Sequence, residues 1–373
     1  MWITSSLKAA KAPTNIALGN FDGVHLGHQE VMAPILCQRS EKAAERIDYR
    51  SAAALHNGIL TAGYSDLPSE FFSKASASAK ADVPVVGVPI EKHRLLTEPQ
   101  LPSSGAYATV VTFSPHPHEY FSGVSRPLLT PVAEKAWQLA RLGIDQLVML
   151  PFNQALAEMT PKDFVEEILI EGLKAQRISV GSDFHFGKGR SGNAQRLMEI
   201  AAKHGIPVIQ VPLKYEKGDR ISSSRIREAL QSGQIDVATE LLGRPYILTG
   251  KVVKGQQIGR TIGFPTANLQ VPDNKFLPRT GVYSVQVLGA EEQKTNDQPL
   301  LGVMNIGQRP TVAGEHLTIE VHVLNWSGDL YQKNLTVMLK GFIRPEQKFD
   351  SLDQLKAQIK QDTQQAIATL KHL

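Results

Sequence analysis

The run Ile16-Ala17-Leu18-Gly19-Asn20-Phe21-Asp22-Gly23-Val24-His25-Leu26-Gly27-His28 decides how the chain is read. A short apolar stretch ends in a glycine-rich turn. Val31, Met32, Ile35 and Leu36 then recur at helical spacing. The pattern is that of a strand running through a tight turn into a helix. Pro34 lies inside the helical stretch and is expected to kink the helix or delay its start.

Further along, Ala108 to Phe113 (ATVVTF) is β-branched and apolar throughout, as in a strand buried on both faces. A helix is expected over 134–142, a strand over 145–150 and a helix over 162–173. A strand over 177–180, a helix over 195–204 and a strand over 208–211 follow. Strands alternating with helices imply a parallel α/β sheet. Between about residues 50 and 106 the pattern weakens, with Ser73–Lys80 low in complexity and prolines at 68, 84, 89, 99 and 102. This region reads as a long mobile insertion, or as one carrying a small hairpin near Val83–Val88.

After about Leu242 the rhythm changes. Strand-like runs at 246–253, 281–288, 301–306, 317–324 and 335–342 succeed each other without helices, and a last helix is expected over 352–370. An all-β unit of this kind is an antiparallel barrel or a sandwich. The reading is therefore α/β plus all-β, with domains at 1–229 and 230–373.

Composition limits the function. The 373 residues are 42% hydrophobic and 20% charged, with a net charge of +4. The basic residues form no run of five or six, so nucleotides are expected as polyanionic partners and extended nucleic acid is not. Cys37 is the single cysteine, which excludes an internal disulfide or a cysteine metal cluster and fits a reducing, cytoplasmic setting. The first 18 residues hold no signal-peptide core; their lack of acids leaves a transit peptide as the alternative. Nothing reaches the apolar length of a membrane span. The sequence leaves monomer and homo-oligomer equally open.

The turn at 19–28 carries the first chemistry. Free N–H groups and the positive end of a helix bind phosphate at such a junction, and Gly27 lets backbone approach a ligand. His25 and His28 are three apart and can face one way to donate to phosphate oxygens. Either histidine alone would read as a surface or satisfied core residue. Ser222-Ser223-Ser224-Arg225-Ile226-Arg227 places N-cap hydroxyls before guanidinium groups, a set suited to β- and γ-phosphates, although alone it reads as an ordinary capped helix with surface arginines. Near the other end, Gly255 to Leu269 reads GQQIGRTIGFPTANL. Thr266 and Asn268 would share a side of an extended chain, as hard oxygen ligands for Mg²⁺ or as a polar exposed strand. Glu320, in Thr318-Ile319-Glu320-Val321-His322, is the candidate base near an alcohol, or a solvated carboxylate on a strand.

Taken together, these strings resemble the prokaryotic bifunctional riboflavin kinase/FMN adenylyltransferase (FAD synthetase) family. The run at 19–28 is similar to the HxGH motif of its Rossmann-like nucleotidyltransferase domain. Thr112–Pro117 and Val180–Gly187 match segments that line the family's nucleotide and flavin pocket. Ser222–Arg227 matches its ISSTxIR signature, with Ser224 keeping the hydroxyl. Phe264–Asn268 resembles the PTAN motif and Thr318–His322 the IExH motif of a β-barrel riboflavin kinase domain. The resemblance implies His25, His28 and Glu320 as catalytic. It implies Gly19, Asn20, Phe21, Gly27, Ser224, Arg225, Gly255 and Gly259 at ATP or phosphate, and Thr266 and Asn268 at Mg²⁺. Phe113, Pro115, His116, Asp183, Phe184 and Arg344 would line flavin or nucleotide. ATP, riboflavin and FMN would be substrates, with FMN and FAD as products rather than prosthetic groups, and no membrane or nucleic-acid partner.

Overall fold

The computed structural model describes residues 1–36, 102, 105–255, 259, 262–290, 299–311 and 314–371. Most of the expected insertion at about 50–106, the hairpin alternative within it, and Cys37 lie outside the described residues. The described residues fall into two compact units. One holds 1–36, 105–126 and 132–221, and the other 127–131 with 222–371.

In the first unit β1 (Trp2–Thr4), β2 (Thr14–Leu18), β3 (Tyr107–Ser114), β4 (Gln146–Pro151), β5 (Ala175–Gly181) and β6 (Val208–Val211) form one sheet in the order β1-β4-β3-β2-β5-β6. Every pairing is parallel. The continuous apolar runs have a simple cause. Ile16 and Leu18 of β2 and Val111 of β3 pack into one core, while Ala17 and Val110 pack into another on the opposite face. Neither face meets water, so alternation disappears.

Helix α1 spans Leu26–Met32. Pro34 neither kinks it nor delays its start: the helix stops at Met32, and Ala33–Ile35 tightens into a 3₁₀ turn that accepts the proline at its start. Short helix α2 (Pro117–Ser122) and α3 (Val132–Arg141) follow β3. The helix expected over 162–173 begins as a short α-turn at Pro161–Asp163, capped by the Thr160 side chain. It then widens into a π-helix at Phe164–Gly172, closed by a Leu173 N–H to Ile168 carbonyl bond of 3.0 Å. Helix α4 (Ala194–Ala202) precedes β6, and a two-residue-stranded hairpin, Tyr215–Glu216 with Asp219–Arg220, follows it.

The second unit opens with α5 (Ser223–Ser232) and α6 (Ile235–Leu242), each closed by a left-handed glycine, Gly233 and Gly243. Strands β7 (Ile247–Val253), β8 (Ala267–Gln270), β9 (Gly281–Leu288), β10 (Leu300–Thr311), β11 (Gly314–Val323) and β12 (Asn334–Arg344) then close into an antiparallel barrel, β7-β8-β11-β10-β9-β12. Of the two architectures the sequence allows, the barrel is the one formed, because β7 pairs with β12 over Ile247–Lys251 and leaves no open edge. Tyr283, Val285 and Val287 fill one face of β9. On its other face Val282 joins Val303 and Ala366, the latter from terminal helix α7 (Leu352–Lys371).

Helix α7 is also fastened by charge. Arg344 Nε and Nη2 donate to the two oxygens of Asp362 at 2.9 and 2.7 Å, and Gln358 Nε2 donates to the same carboxylate at 2.9 Å. The Asp362 side chain is only 4% exposed. Asp362→Ala would leave a largely buried guanidinium without its bidentate partner, and is expected to cost the barrel unit about 3 kcal/mol in chemical denaturation.

Candidate active sites

The carboxyl ends of β2, β3 and β5 gather three of the sequence segments singled out above, at the edge where open α/β sheets hold ligands. Gly19 is tied to that edge by its N–H to the Val111 carbonyl, 3.1 Å. The turn that follows contains two non-glycine residues in the left-handed region, Phe21 (φ 50°) and Val24 (φ 44°). Both side chains are buried, which holds the backbone in a conformation it would otherwise leave. His25 is the N-cap of α1, its Nδ1 accepting from the His28 N–H at 3.2 Å. Acceptance at Nδ1 puts the ring proton of a neutral His25 on Nε2. The two imidazoles stack with centroids 3.5 Å apart and planes 14° apart, and Phe21 meets the His28 ring edge-on at 5.3 Å. The two histidines therefore form one stacked unit, in which His25 also shapes the helix start. Gly27 has a local reason too, since a Cβ there would press on the His25 ring at 3.3 Å.

Beside this turn, Phe113 and Phe152 meet edge to face at 5.8 Å, and Tyr120 and Phe121 pack on Phe152 at 5.3 and 5.8 Å. Phe121 is 71% exposed, so the cluster offers an open aromatic face. Sequence reading found Phe113 and missed the other three. The Ser114–Pro115 bond is cis. His116 caps α2: its Nδ1 accepts from the His118 N–H at 3.0 Å and its own N–H donates to Glu119 Oε2 at 3.1 Å. Burial holds its imidazole below the usual range, against the opposing pull of Glu119. Asp183 pairs with Arg220, and Phe184 stacks on Phe186 at 5.6 Å.

Two buried polar residues that sequence reading did not single out sit at the same turn. Asp22 is 8% exposed, and so is Lys135 of α3. The Lys135 ammonium donates to the Asn20 carbonyl at 3.0 Å, and Thr112 Oγ1 donates to that carbonyl at 3.1 Å.

Ser222 caps α5, its Oγ accepting from the Arg225 N–H at 3.3 Å. Ser224 is exposed and Arg225 half-buried in the first turn. Arg227 is buried, donating to the Pro127 carbonyl at 3.0 Å and lying over the Phe276 ring. This segment packs in the second unit.

The barrel brings its own motifs together. Asn268 of β8 and Asn305 of β10 flank Glu320 of β11 as direct cross-strand partners, so the three side chains form a row on one face. Thr266 Oγ1 donates to Glu320 Oε2 at 3.2 Å. His322 Nδ1 lies 2.8 Å from the Pro265 carbonyl, and its ring meets Phe264 edge-on, which fixes the bend before β8. A Cβ at Gly255 would overlap the Asn268 amide, and one at Gly259 would overlap the Phe264 carbonyl. The glycines let the backbone pack directly against these two groups. Asn305 was missed by sequence reading; Glu346 accepts from the Gln308 N–H at 3.4 Å. Arg344, expected at flavin or nucleotide, spends its fork on Asp362. Among the described residues no group of three or more His, Cys, Asp or Glu side chains forms a metal cage.

A family model described as FAD synthetase matches residues 7–48 and 99–225, and one described as riboflavin kinase matches 242–370. The bifunctional riboflavin kinase/FMN adenylyltransferase of Escherichia coli K12 is 41% identical over 254 residues, 68% of this chain and 79% of that protein. The enzyme of the same name from Pseudomonas fluorescens is 34% identical over 94% of this chain and 91% of its own. The crystal structure of a macrolide-efflux protein from Streptococcus pneumoniae is 28% identical over 97% of each chain, with a TM-score of 0.69. Among the described residues no helix is long and apolar enough to cross a membrane.

Proposed function

This chain belongs to the family of bifunctional riboflavin kinase/FMN adenylyltransferases, and from that premise we propose how its two sites divide the work. The chain phosphorylates riboflavin with ATP to give FMN and ADP, and it transfers AMP from a second ATP to FMN, giving FAD and pyrophosphate. The observation that carries the division is the pairing of Thr266, Asn268 and Glu320 on one barrel face, in a unit that contains none of the 19–28 turn.

At the barrel, Glu320 takes the proton of the riboflavin terminal hydroxyl as its oxygen attacks the γ-phosphorus and ADP leaves. Thr266 and Asn268 suit Mg²⁺: both bear hard oxygens, and Gly255 keeps side-chain bulk off the Asn268 amide. When bound with ATP, Mg²⁺ neutralises phosphate charge. Thr266 also orients the Glu320 carboxylate, and Gly255 and Gly259 let backbone reach the phosphates.

At the sheet edge, the FMN phosphate attacks the α-phosphorus of ATP and pyrophosphate departs. The N–H groups of the 19–28 turn and the His25 and His28 rings meet charge that shifts onto the α-phosphate oxygens. Phe113, Phe121 and Phe184 offer aromatic faces to the isoalloxazine. In the first turn of α5, the Ser224 hydroxyl and the Arg225 guanidinium suit β- and γ-phosphates. We divide the functions at 229/230, which assigns the Ser222–Arg227 segment to adenylyl transfer although it packs with the barrel unit. The protein works in the cytoplasm, as a monomer or homo-oligomer, without nucleic acid or membrane.

The test is a time course of purified protein with riboflavin, ATP and Mg²⁺, the flavins being separated chromatographically. FMN is expected first and FAD after it. FMN without FAD would refute the reading of the 19–28 site, and FAD made only from added FMN would refute that of the barrel.

A further inference from the structure

Helix α3 buries a polar row, Glu134, Lys135 and Gln138, at 4, 8 and 5% exposure. For a lysine such burial is unusual, because the ammonium loses its hydration and needs something in return. What Lys135 obtains is the carbonyl of Asn20, at the middle of the turn that precedes His25. Thr112 donates to the same carbonyl from β3. That turn contains the two left-handed non-glycine residues Phe21 and Val24, and a backbone of this kind persists only where its surroundings over-determine it.

We propose that Lys135 is a positioning residue for adenylyl transfer: its buried ammonium, clamping the Asn20 carbonyl together with Thr112, holds the Gly19–Gly23 turn in the shape that presents His25 and His28. An ammonium makes a stronger bond to a carbonyl than a neutral donor does, and three donors on one nitrogen tolerate small changes in the turn. Burial pushes the Lys135 pKa below the usual lysine range, against the opposing pull of Asp22, which is buried in the same turn. The clamp acts through the shape of the turn, on charge development in the transition state, rather than on substrate affinity.

The inference rests on the assignment of the 19–28 turn to adenylyl transfer, so the full-length Lys135→Met, Lys135→Arg, Thr112→Val and His28→Ala proteins are assayed side by side. FMN and ATP are supplied for FAD formation, and riboflavin phosphorylation serves as the control within each molecule. Lys135→Met is expected to lower the turnover of FAD formation by about 10- to 100-fold. The KM values for FMN and ATP stay within about threefold, the signature of an interaction realised in the transition state. Riboflavin phosphorylation is unchanged, Lys135→Arg regains most of the lost turnover, and Thr112→Val lowers turnover in the same direction. Full turnover in Lys135→Met, no recovery in Lys135→Arg, or full turnover in Thr112→Val overturns the clamp. Should Lys135→Met lose both activities through misfolding, Lys135→Arg and Thr112→Val decide the matter. FAD formation surviving in His28→Ala overturns the site assignment itself, whereas its loss there with Lys135→Met fully active overturns only the role of Lys135.

Discussion

Glu320→Gln is expected to lower riboflavin phosphorylation by about 10²- to 10⁴-fold, the usual worth of a positioned general base, and to leave FAD formation from supplied FMN unchanged. The substitution is nearly isosteric and separates two roles that share one side chain. If Glu320 served only as the acceptor for the Thr266 hydroxyl at 3.2 Å, the glutamine amide oxygen would accept in its place and the rate would hold. An amide cannot take up the proton of an attacking alcohol, so a base is lost outright. The loss belongs in turnover, with the KM for ATP little changed, because in the proposed site Thr266 and Asn268, not Glu320, would serve Mg²⁺ and the phosphates. The register argues in the same direction. Asn268 and Asn305 flank Glu320 on neighbouring strands, so glutamine meets two amides in place of a carboxylate and neither fold nor packing is put at risk. Separate assays of FMN and FAD formation on one protein sample check both halves of the expectation.

What the sequence displayed and what it hid follow from how far each feature reaches along the chain. The apolar run 108–113 could be read as a buried strand because two cores, one on each face, leave no position for a polar residue. The PTAN and IExH strings could be read because their spacing is local. Their meeting could not, since it depends on the pairing of β8 with β11 across more than fifty residues. Barrel closure is hidden for the same reason: the contact of β7 with β12 is a property of the whole unit, and any strand-rich stretch would read equally as a sandwich. Lys135 had no signal at all. It stands between Glu134 and Ala136 on a helix, where lysine ordinarily faces water, and only the structure shows that this face is turned inward. Gly27 is instructive in another way. Its smallness was read as room for a ligand, and the structure adds that it is also room for the ring of His25.

His28→Ala is expected to lower FAD formation by about 10²- to 10³-fold, the cost of removing one preorganised donor from a developing oxyanion, and to spare riboflavin phosphorylation. Of the two histidines it is the cleaner target. The bond that starts helix α1 runs from the backbone N–H of residue 28 to His25 Nδ1, so alanine at 28 keeps the cap and removes only a ring. His25→Ala would remove the cap as well, at about 1 kcal/mol, and would take away the face on which the His28 ring stacks. A fall in FAD formation after that change would mix a frayed helix start with a missing donor. His25→Asn resolves the ambiguity, because asparagine caps helices well but carries no ring. If it loses FAD formation as fully as His28→Ala while thermal unfolding stays unchanged, the imidazole itself is required and not merely its hold on the helix. In the coupled reaction each variant should then stop at the same point, with riboflavin consumed and FMN accumulating, which is the outcome that a general loss of folding cannot produce.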